Sequence, residues 1–332
     1  MVCTILMVRC ILETMEHITF IGTGVMGSSM AGHLLAAGYP LTVFTRTKSR
    51  AEALLAQGAR WGETVHGAVT NADVVITMVG NPQDVEELYL GPDGIIASAK
   101  PGALLIDMTT SSPKLAGRIA DAGRERGLEV LDAPVSGGDV GARNATLSIM
   151  VGGSEAAFKR AKPIFEKLGK TIVLQGGSGC GQHAKMCNQI AIASNMIGVV
   201  EALTYGISAG LEPRIMLSSI EFGAAGSWSL SNLVPRMIDG NVKPGFYIKH
   251  FIKDMGIALE SAREMELRLP GLTQAEALYT KLAALDGSTL QKIAQGTAPA
   301  KNMFAPQIPD DAQSGGDLGT QALYLLYLAR LV

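Results

Sequence analysis

The stretch at residues 18–38, ITFIGTGVMGSSMAGHLLAAG, decides the fold. A short β-branched and aromatic run leads directly into Gly22, Gly24 and Gly27, spaced GxGxxG, and a helical pattern follows to Gly38. Gly22 permits the tight turn, Gly24 lets a pyrophosphate approach the backbone, and Gly27 lets the helix pack closely on the strand, with the helix N-terminus facing the phosphates. The spacing alone is a weak signal. With a strand before it and a helix after it, the loop reads as a dinucleotide cradle.

Outward from this loop the chain alternates. HITFI, LTVF, DVVITMV, ALLIDMT and LEVLDAPV are brief aliphatic runs bounded by Gly, Asp, Asn or Pro and read as buried strands. Between them VMGSSMAGHLLAAG, SRAEALLAQG, PQDVEELYLG and SPKLAGRIADAGRERG read as helices, several ending at a glycine that can supply a left-handed cap. Strand and helix in alternation imply an α/β, doubly wound parallel sheet of Rossmann type with helices on both faces. After Gly177 the texture becomes helical, with candidates at residues 182–209, 213–222, 250–265, 272–285 and 317–331. The expected organisation is an extension at residues 1–15, a dinucleotide-binding domain at 16–177 and an all-α domain for substrate and oligomerisation at 178–332.

The end of the second strand selects between NAD and NADP. An acidic residue there would bind ribose hydroxyls, but the sequence is TVFTRTKSR, with Thr45, Arg46, Thr47 and Lys48 and no carboxylate. A guanidinium among hydroxyls suits a 2′-phosphate, so NADP is the expected cofactor. NAD is the second reading, with Arg46 and Lys48 as ordinary solvated charges.

Composition excludes several other classes. The chain has 332 residues, 47% of them hydrophobic, and a formal net charge of -2. It is long enough for two cores, and it offers no bulk attraction to nucleic acid or an anionic membrane surface. Cys3, Cys10, Cys180 and Cys187 show no CxxC spacing, and the five histidines form no ligand cluster. A reducing cytoplasm and no metal are expected. The apolar opening MVCTILMVRCILET is too short to span a bilayer. It reads as a disordered or misassigned extension, with Met15 as the natural start.

Three further stretches carry chemistry. GCGQHAKMCNQ places Lys185 among small and amide neighbours ahead of a run apolar almost all round, which predicts a helix buried on every side. A buried ammonium costs several kcal/mol unless compensated or deprotonated. The bland alternative is a lysine whose stem packs while its head reaches solvent. DAPVSGG ends the last strand with Ser136, Gly137 and Gly138, which suit either backbone N–H groups aimed at a carboxylate or a Gly-rich hairpin leading into TLSIMVGG. GFYIKHFIKDMGIALE sets Lys249, Lys253 and Asp254 at the start of a helix, where Asp254 pairs with either lysine or with Lys185, or all lie on a solvated charged face.

In this order the four segments resemble the β-hydroxyacid dehydrogenase family, which includes 3-hydroxyisobutyrate dehydrogenases and the tartronate, glyoxylate and succinic semialdehyde reductases. The resemblance runs from about residue 17 to the C-terminus. It implies that Gly22, Gly24, Val25, Met26 and Gly27 form the cofactor loop, that Met78, Val79 and Gly80 lie beside the nicotinamide nucleotide, and that Thr109 and Thr110 supply hydroxyls near the nicotinamide. Thr45, Arg46 and Thr47 match the segment of NADP-preferring members. Ser136, Gly137 and Gly138 match the substrate loop, Phe246 an active-site phenylalanine, and Lys253 with Asp254 the pair near cofactor and substrate. Lys185 matches the catalytic lysine. The family often carries Asn four residues beyond the lysine, where this chain has Gln189, with Asn188 one residue earlier; either amide reaches a substrate hydroxyl or carboxylate.

The implied reaction interconverts a short 3-hydroxy acid and its semialdehyde, with Lys185 as general acid and base and burial bringing its proton within the working range. A small-molecule hydroxy acid or semialdehyde is the expected partner, in a cytoplasmic homodimer or homotetramer. Related readings are a 6-phosphogluconate dehydrogenase-like enzyme, disfavoured because KMCNQ has no histidine before its asparagine, and an imine reductase, disfavoured because Lys185 is present. A non-catalytic NADP-binding module is disfavoured on the same ground.

Overall fold

The computed structural model describes residues 15–296 and 303–332. The expected extension lies outside these residues, Met15 excepted. Two compact units are present, Met1–Lys185 and Met186–Val332. Their division falls inside one continuous helix, Cys180–Ser208, a few residues beyond the change of texture at Gly177.

In the first unit β1 (Ile18–Ile21), β2 (Leu41–Phe44), β3 (Arg60–Trp61), β4 (Val74–Thr77), β5 (Leu104–Asp107) and β6 (Glu129–Asp132) run parallel in the order β3-β2-β1-β4-β5-β6. The winding reverses between β1 and β4, so a crevice opens at their carboxyl ends, where the glycine loop begins. Alternate residues of each strand face opposite ways. Ile18, Phe20, Ile76 and Ile106 therefore pack with Met30 and Leu34 of the helix Val25–Ala36. Ile21, Val75 and Leu105 pack on the other face with Tyr89 and Ile119. Two-sided burial explains why these strands read as unbroken apolar runs.

Three expectations are corrected. LEVLDAPV is two strands, because Pro134 has no N–H to continue a ladder. β6 stops at Asp132, and β7 (Val135–Ser136) pairs antiparallel with β8 (Leu147–Gly152), with the short helix Gly138–Arg143 between them. β9 (Gly169–Gly176) then adds parallel to β8. Residues 317–331 are two 3-10 turns, Gly315–Asp317 and Thr320–Leu323, followed by the helix Tyr324–Leu328. Extended backbone at Leu318, and the Asp317 carboxylate accepting from Ser314 N at 3.2 Å, break the single helix.

The helix Cys180–Ser208 is also not buried on every side: Cys187, Ala191, Ser194, Gly198, Glu201 and Tyr205 line an exposed stripe at three- and four-residue spacing. Mostly small residues hide that stripe from a composition reading. Its length and hydropathy would suffice for a membrane span. Its buried Gln182, Lys185 and Gln189 belong instead to a protein interior.

The second unit packs Met196, Val200, Leu233, Phe251, Tyr279 and Leu325 into one core. The helices Trp228–Ile238 and Gly287–Gly296 were not expected from the sequence, the first because Pro235 lies inside it. Both start on side-chain caps: Ser227 Oγ accepts from Leu230 N at 3.0 Å, and Asp286 Oδ1 from Thr289 N at 2.9 Å.

A buried polar chain ties the carboxyl ends of β4 and β5. Tyr89 Oη hydrogen-bonds Thr77 Oγ1 at 3.0 Å, Thr77 Oγ1 donates to Asp107 Oδ1 at 2.8 Å, and Thr109 N donates to the same oxygen at 3.0 Å. Burial raises the Asp107 carboxyl from 3.8 to about 6 against these hydrogen bonds, which act to lower it. Between those values the folded protein holds a proton that the unfolded chain has released, so this group's contribution to stability falls as pH rises through the interval. Thermal melts across it should therefore show Asp107→Asn gaining on the wild type with rising pH; parallel melting curves at every pH would contradict this.

Candidate functional site

Each residue of the glycine loop meets a distinct constraint. Gly22 has φ +97°, and a Cβ there would overlap the Met78 carbonyl oxygen. A Cβ on Gly27 would overlap the Gly22 carbonyl oxygen, so this position sets how closely the helix Val25–Ala36 approaches β1. Gly24 has φ -75° and nothing within 4 Å of a Cβ. Its lack of a side chain is thus not demanded by the protein's own packing, and the space it leaves fits a bound pyrophosphate. The helix has neither a side-chain cap nor an acidic residue in its first turn, so its leading N–H groups suit an anion. Thr23 Oγ1 is buried without a hydrogen-bond partner. Val25 is exposed and Met26 half-buried at this end.

Beyond β2, Thr45 is half-buried and Arg46 and Thr47 are exposed. Arg46 Nη1 pairs with Asp84 Oδ1 at 3.1 Å, and Lys48 Nζ lies 5.1 Å over the Trp61 ring, which stacks on Phe44. Beyond β4, Met78 N donates to Ile21 O at 2.9 Å and Val79 N to Thr109 Oγ1 at 3.0 Å. The Thr109 hydroxyl thus ties two strand ends together from a buried position, and Thr110 is the more open of the pair. Ser136 ends β7, while Gly137 and Gly138 hold φ +131° and +60° at the start of the helix Gly138–Arg143. Of the two readings of DAPVSGG, the turn back into TLSIMVGG is present, since β7 pairs antiparallel with β8.

Lys185 is 6% exposed, and the start of its helix is held in place by two groups that the sequence reading did not single out. Asp132, at the end of β6, accepts from Gly179 N at 2.7 Å and from Gln182 N at 2.8 Å. Desolvation raises its carboxyl above the ordinary value while these backbone bonds pull it down. Gln182, 0% exposed, accepts from Ser111 N at 2.9 Å and donates to Thr109 O at 2.8 Å. Both residues stand within quoted motifs, DAPVSGG and GCGQHAKMCNQ. Only the partners in space reveal their roles.

In the second unit Asn188, Gln189, Lys253 and Asp254 form one cluster. Gln189 Nε2 donates to Asp254 Oδ2 at 2.6 Å, and Asn188 Nδ2 donates to Gln189 Oε1 at 2.7 Å. Lys253 Nζ lies 3.1 Å from Asp254 Oδ1 as an ion pair without hydrogen-bond alignment. Lys249 is paired elsewhere, with Asp317 at 2.9 Å. This decides the choice for Asp254 between the two lysines, and the pair is not a solvated face: Asp254 is 2% exposed. Phe246 is half-buried and packs on Phe251, with ring centroids 5.7 Å apart.

A doubly wound sheet with a glycine cradle at its switch point, followed by a long helix bearing a buried lysine and then a helical unit, defines the class of nicotinamide-dependent oxidoreductases. Residues 17–177 match the family model of the NAD binding domain of 6-phosphogluconate dehydrogenase, and residues 179–295 that of the NAD-binding region of NADP-dependent 3-hydroxyisobutyrate dehydrogenase. An uncharacterized oxidoreductase of Bacillus subtilis is 61% identical over 81% of this chain and 93% of its own. The 2-hydroxy-3-oxopropionate reductase of Escherichia coli is 42% identical over 82% of this chain and 92% of its own. Among solved structures, the 3-hydroxyisobutyrate dehydrogenase of Mycobacterium tuberculosis with L-serine superposes with a TM-score of 0.78 at 30% identity, covering 94% of this chain and 98% of that one. The chain belongs to the β-hydroxyacid dehydrogenase family. It is an NAD(P)-dependent oxidoreductase of the hydroxy acid and semialdehyde class.

The glycine geometry separates two otherwise similar substitutions. Gly24→Ala should lower the melting temperature only slightly, since its methyl meets nothing within 4 Å and only the helix N-cap is affected, yet weaken cofactor binding. Gly27→Ala should lower both, because its methyl meets backbone. Thermal melts and cofactor titrations of the two variants check this, and equal melting temperatures would contradict it.

Proposed function

We propose that the protein reduces a short 3-oxo acid to the corresponding 3-hydroxy acid with NADPH, and runs the reverse oxidation, with Lys185 as general acid and base. The observation that carries this reading is a 6% exposed lysine on a helix whose first turn is pinned by Asp132 and Gln182. Such pinning keeps one side chain in one place, as proton transfer requires. The bound nicotinamide supplies or receives the hydride. Lys185 donates a proton to the oxygen of the carbonyl being reduced, its positive charge favours the developing alkoxide, and it takes the proton back in the oxidation. Ser136 with the backbone of Gly137 and Gly138 is assigned to the substrate carboxylate, and Phe246 to packing against its carbon chain. Met78, Val79, Thr109, Thr110 and Lys253 are assigned to the nicotinamide half of the cofactor.

The E. coli relative at 42% identity reduces 2-hydroxy-3-oxopropionate by its name, which favours that compound as the first substrate to try. Thr45, Arg46 and Thr47 favour NADP, with Arg46 assigned to the 2′-phosphate and held by Asp84 at 3.1 Å. The organisation proposed from the sequence, a cofactor domain at 16–177 and a substrate and oligomerisation domain at 178–332, accompanies this reading. So do cytoplasmic location and self-association. Exposed Leu211, Ile215, Phe222 and Trp228 on the second unit support the last, and sedimentation would distinguish dimer from tetramer.

With 2-hydroxy-3-oxopropionate and NADPH, Lys185→Ala should lose about 10²-fold or more in kcat, the usual contribution of a positioned acid, with cofactor affinity retained. Undiminished turnover would reduce Lys185 to a packed helix residue. Arg46→Ala should raise the Kd for NADPH by about tenfold, as loss of one charge-assisted contact implies, and leave NADH unchanged. An equal effect on both cofactors would remove the 2′-phosphate reading.

A further inference from the structure

The cluster around Asp254 dictates which way an amide points. A carboxylate only accepts hydrogen bonds, so the group 2.6 Å from Asp254 Oδ2 must be the NH₂ of Gln189. That orientation leaves Gln189 Oε1 as the atom facing Asn188, and an oxygen there requires the NH₂ of Asn188 opposite it, at 2.7 Å. The ambiguity that normally attends side-chain amides is removed twice over by one anion. Lys253, 3.1 Å from Oδ1, supplies the opposing charge that a buried carboxylate needs. Gln189 and Asp254 are each 2% exposed, whereas Asn188 is half-buried, so Asn188 is the member able to meet a ligand. With its NH₂ engaged by Gln189, Asn188 keeps its carbonyl oxygen as the acceptor to offer a ligand, and it stands three residues beyond Lys185 on the same helix.

We propose that Asp254 and Gln189 are positioning residues that lock Asn188 with its oxygen toward the substrate, so that the site selects a substrate bearing a hydroxyl donor beside the reacting carbon. This deepens the function proposed above and rests on its placement of substrate near Lys185. The fixed oxygen suits a hydroxyl and repels a carboxylate. Of the two amides left open by the sequence, Asn188 is the substrate contact, and Gln189 and Asp254 act through it.

The test compares two acids that differ by one hydroxyl, 2,3-dihydroxypropanoate and 3-hydroxypropanoate, by titration calorimetry on the NADP⁺-loaded protein. The wild type should bind the dihydroxy acid about tenfold more tightly, as one well-placed hydrogen bond allows. Asn188→Ala should abolish that preference, and so should Gln189→Glu, which sets two carboxylates face to face. The double variant Gln189→Glu with Asp254→Asn should restore it, because the amide then at position 254 donates to the carboxylate at position 189, which still accepts from Asn188. A preference absent from the wild type, intact in Asn188→Ala, or not restored in a folded double variant would overturn the proposal. Restoration of the melting temperature without the preference would make the cluster structural only, which also overturns it. Should Gln189→Glu fail to fold, the Asn188→Ala and double variants decide. Lys185→Ala separates the two readings: full turnover in that variant sinks the acid-base role, while the affinity ratio still reports on the amides.

Discussion

The Asp132 carboxylate holds the start of a 29-residue helix to the end of a strand. It accepts two backbone N–H groups that have no partner inside the helix, and negative charge at that end also meets the positive end of the helix dipole. The fit is tight: a Cβ on Gly181 would overlap the carbonyl oxygen of Met150 and lie 2.6 Å from that of Asp132. Gln182 adds a second tie through Ser111 and Thr109. Lys185 follows three residues later. The position of the Lys185 side chain therefore depends on the buried Asp132 and Gln182.

A similar economy is seen at the carboxyl ends of β4 and β5. Thr77, Asp107 and Thr109 satisfy one another within the protein, and Thr109 reaches on to Val79 N at 3.0 Å. Buried polar groups without partners are costly, and fully paired ones favour a single arrangement. The segments that follow those strands are the ones proposed for the nicotinamide, and the polar chain fixes the strand ends from which they leave. In the second unit the Lys253–Asp254–Gln189–Asn188 series does the same with charge at one end and an oriented amide at the other.

Much of the fold was legible in the chain. β1, the glycine loop and the first helix were read to within a residue or two, because sterics at Gly22 and Gly27 and unbroken apolar strands admit few alternatives. Elements were missed where the local signal is weak. β9 alternates between exposed and half-buried residues, the helix Trp228–Ile238 contains Pro235, and residues 317–331 look helical until the Asp317 cap and extended Leu318 interrupt them. The long helix looked buried all round because small residues score as apolar on its exposed stripe as well.

By itself the sequence determined the class of fold, the dinucleotide cradle and Lys185 as the residue to explain, since these rest on local spacing, periodicity and the cost of burying a charge. Only the tertiary structure decided which amide is open to a ligand and which is buried, that Asp254 pairs with Lys253 while Lys249 goes to Asp317, and that Asp132 and Gln182 hold the helix. The reason is geometric. Hydrogen bonds and ion pairs are made between groups far apart in the chain, Asp132 with Gly179 and Gln189 with Asp254, and no spacing rule reports a partner 47 or 65 residues away.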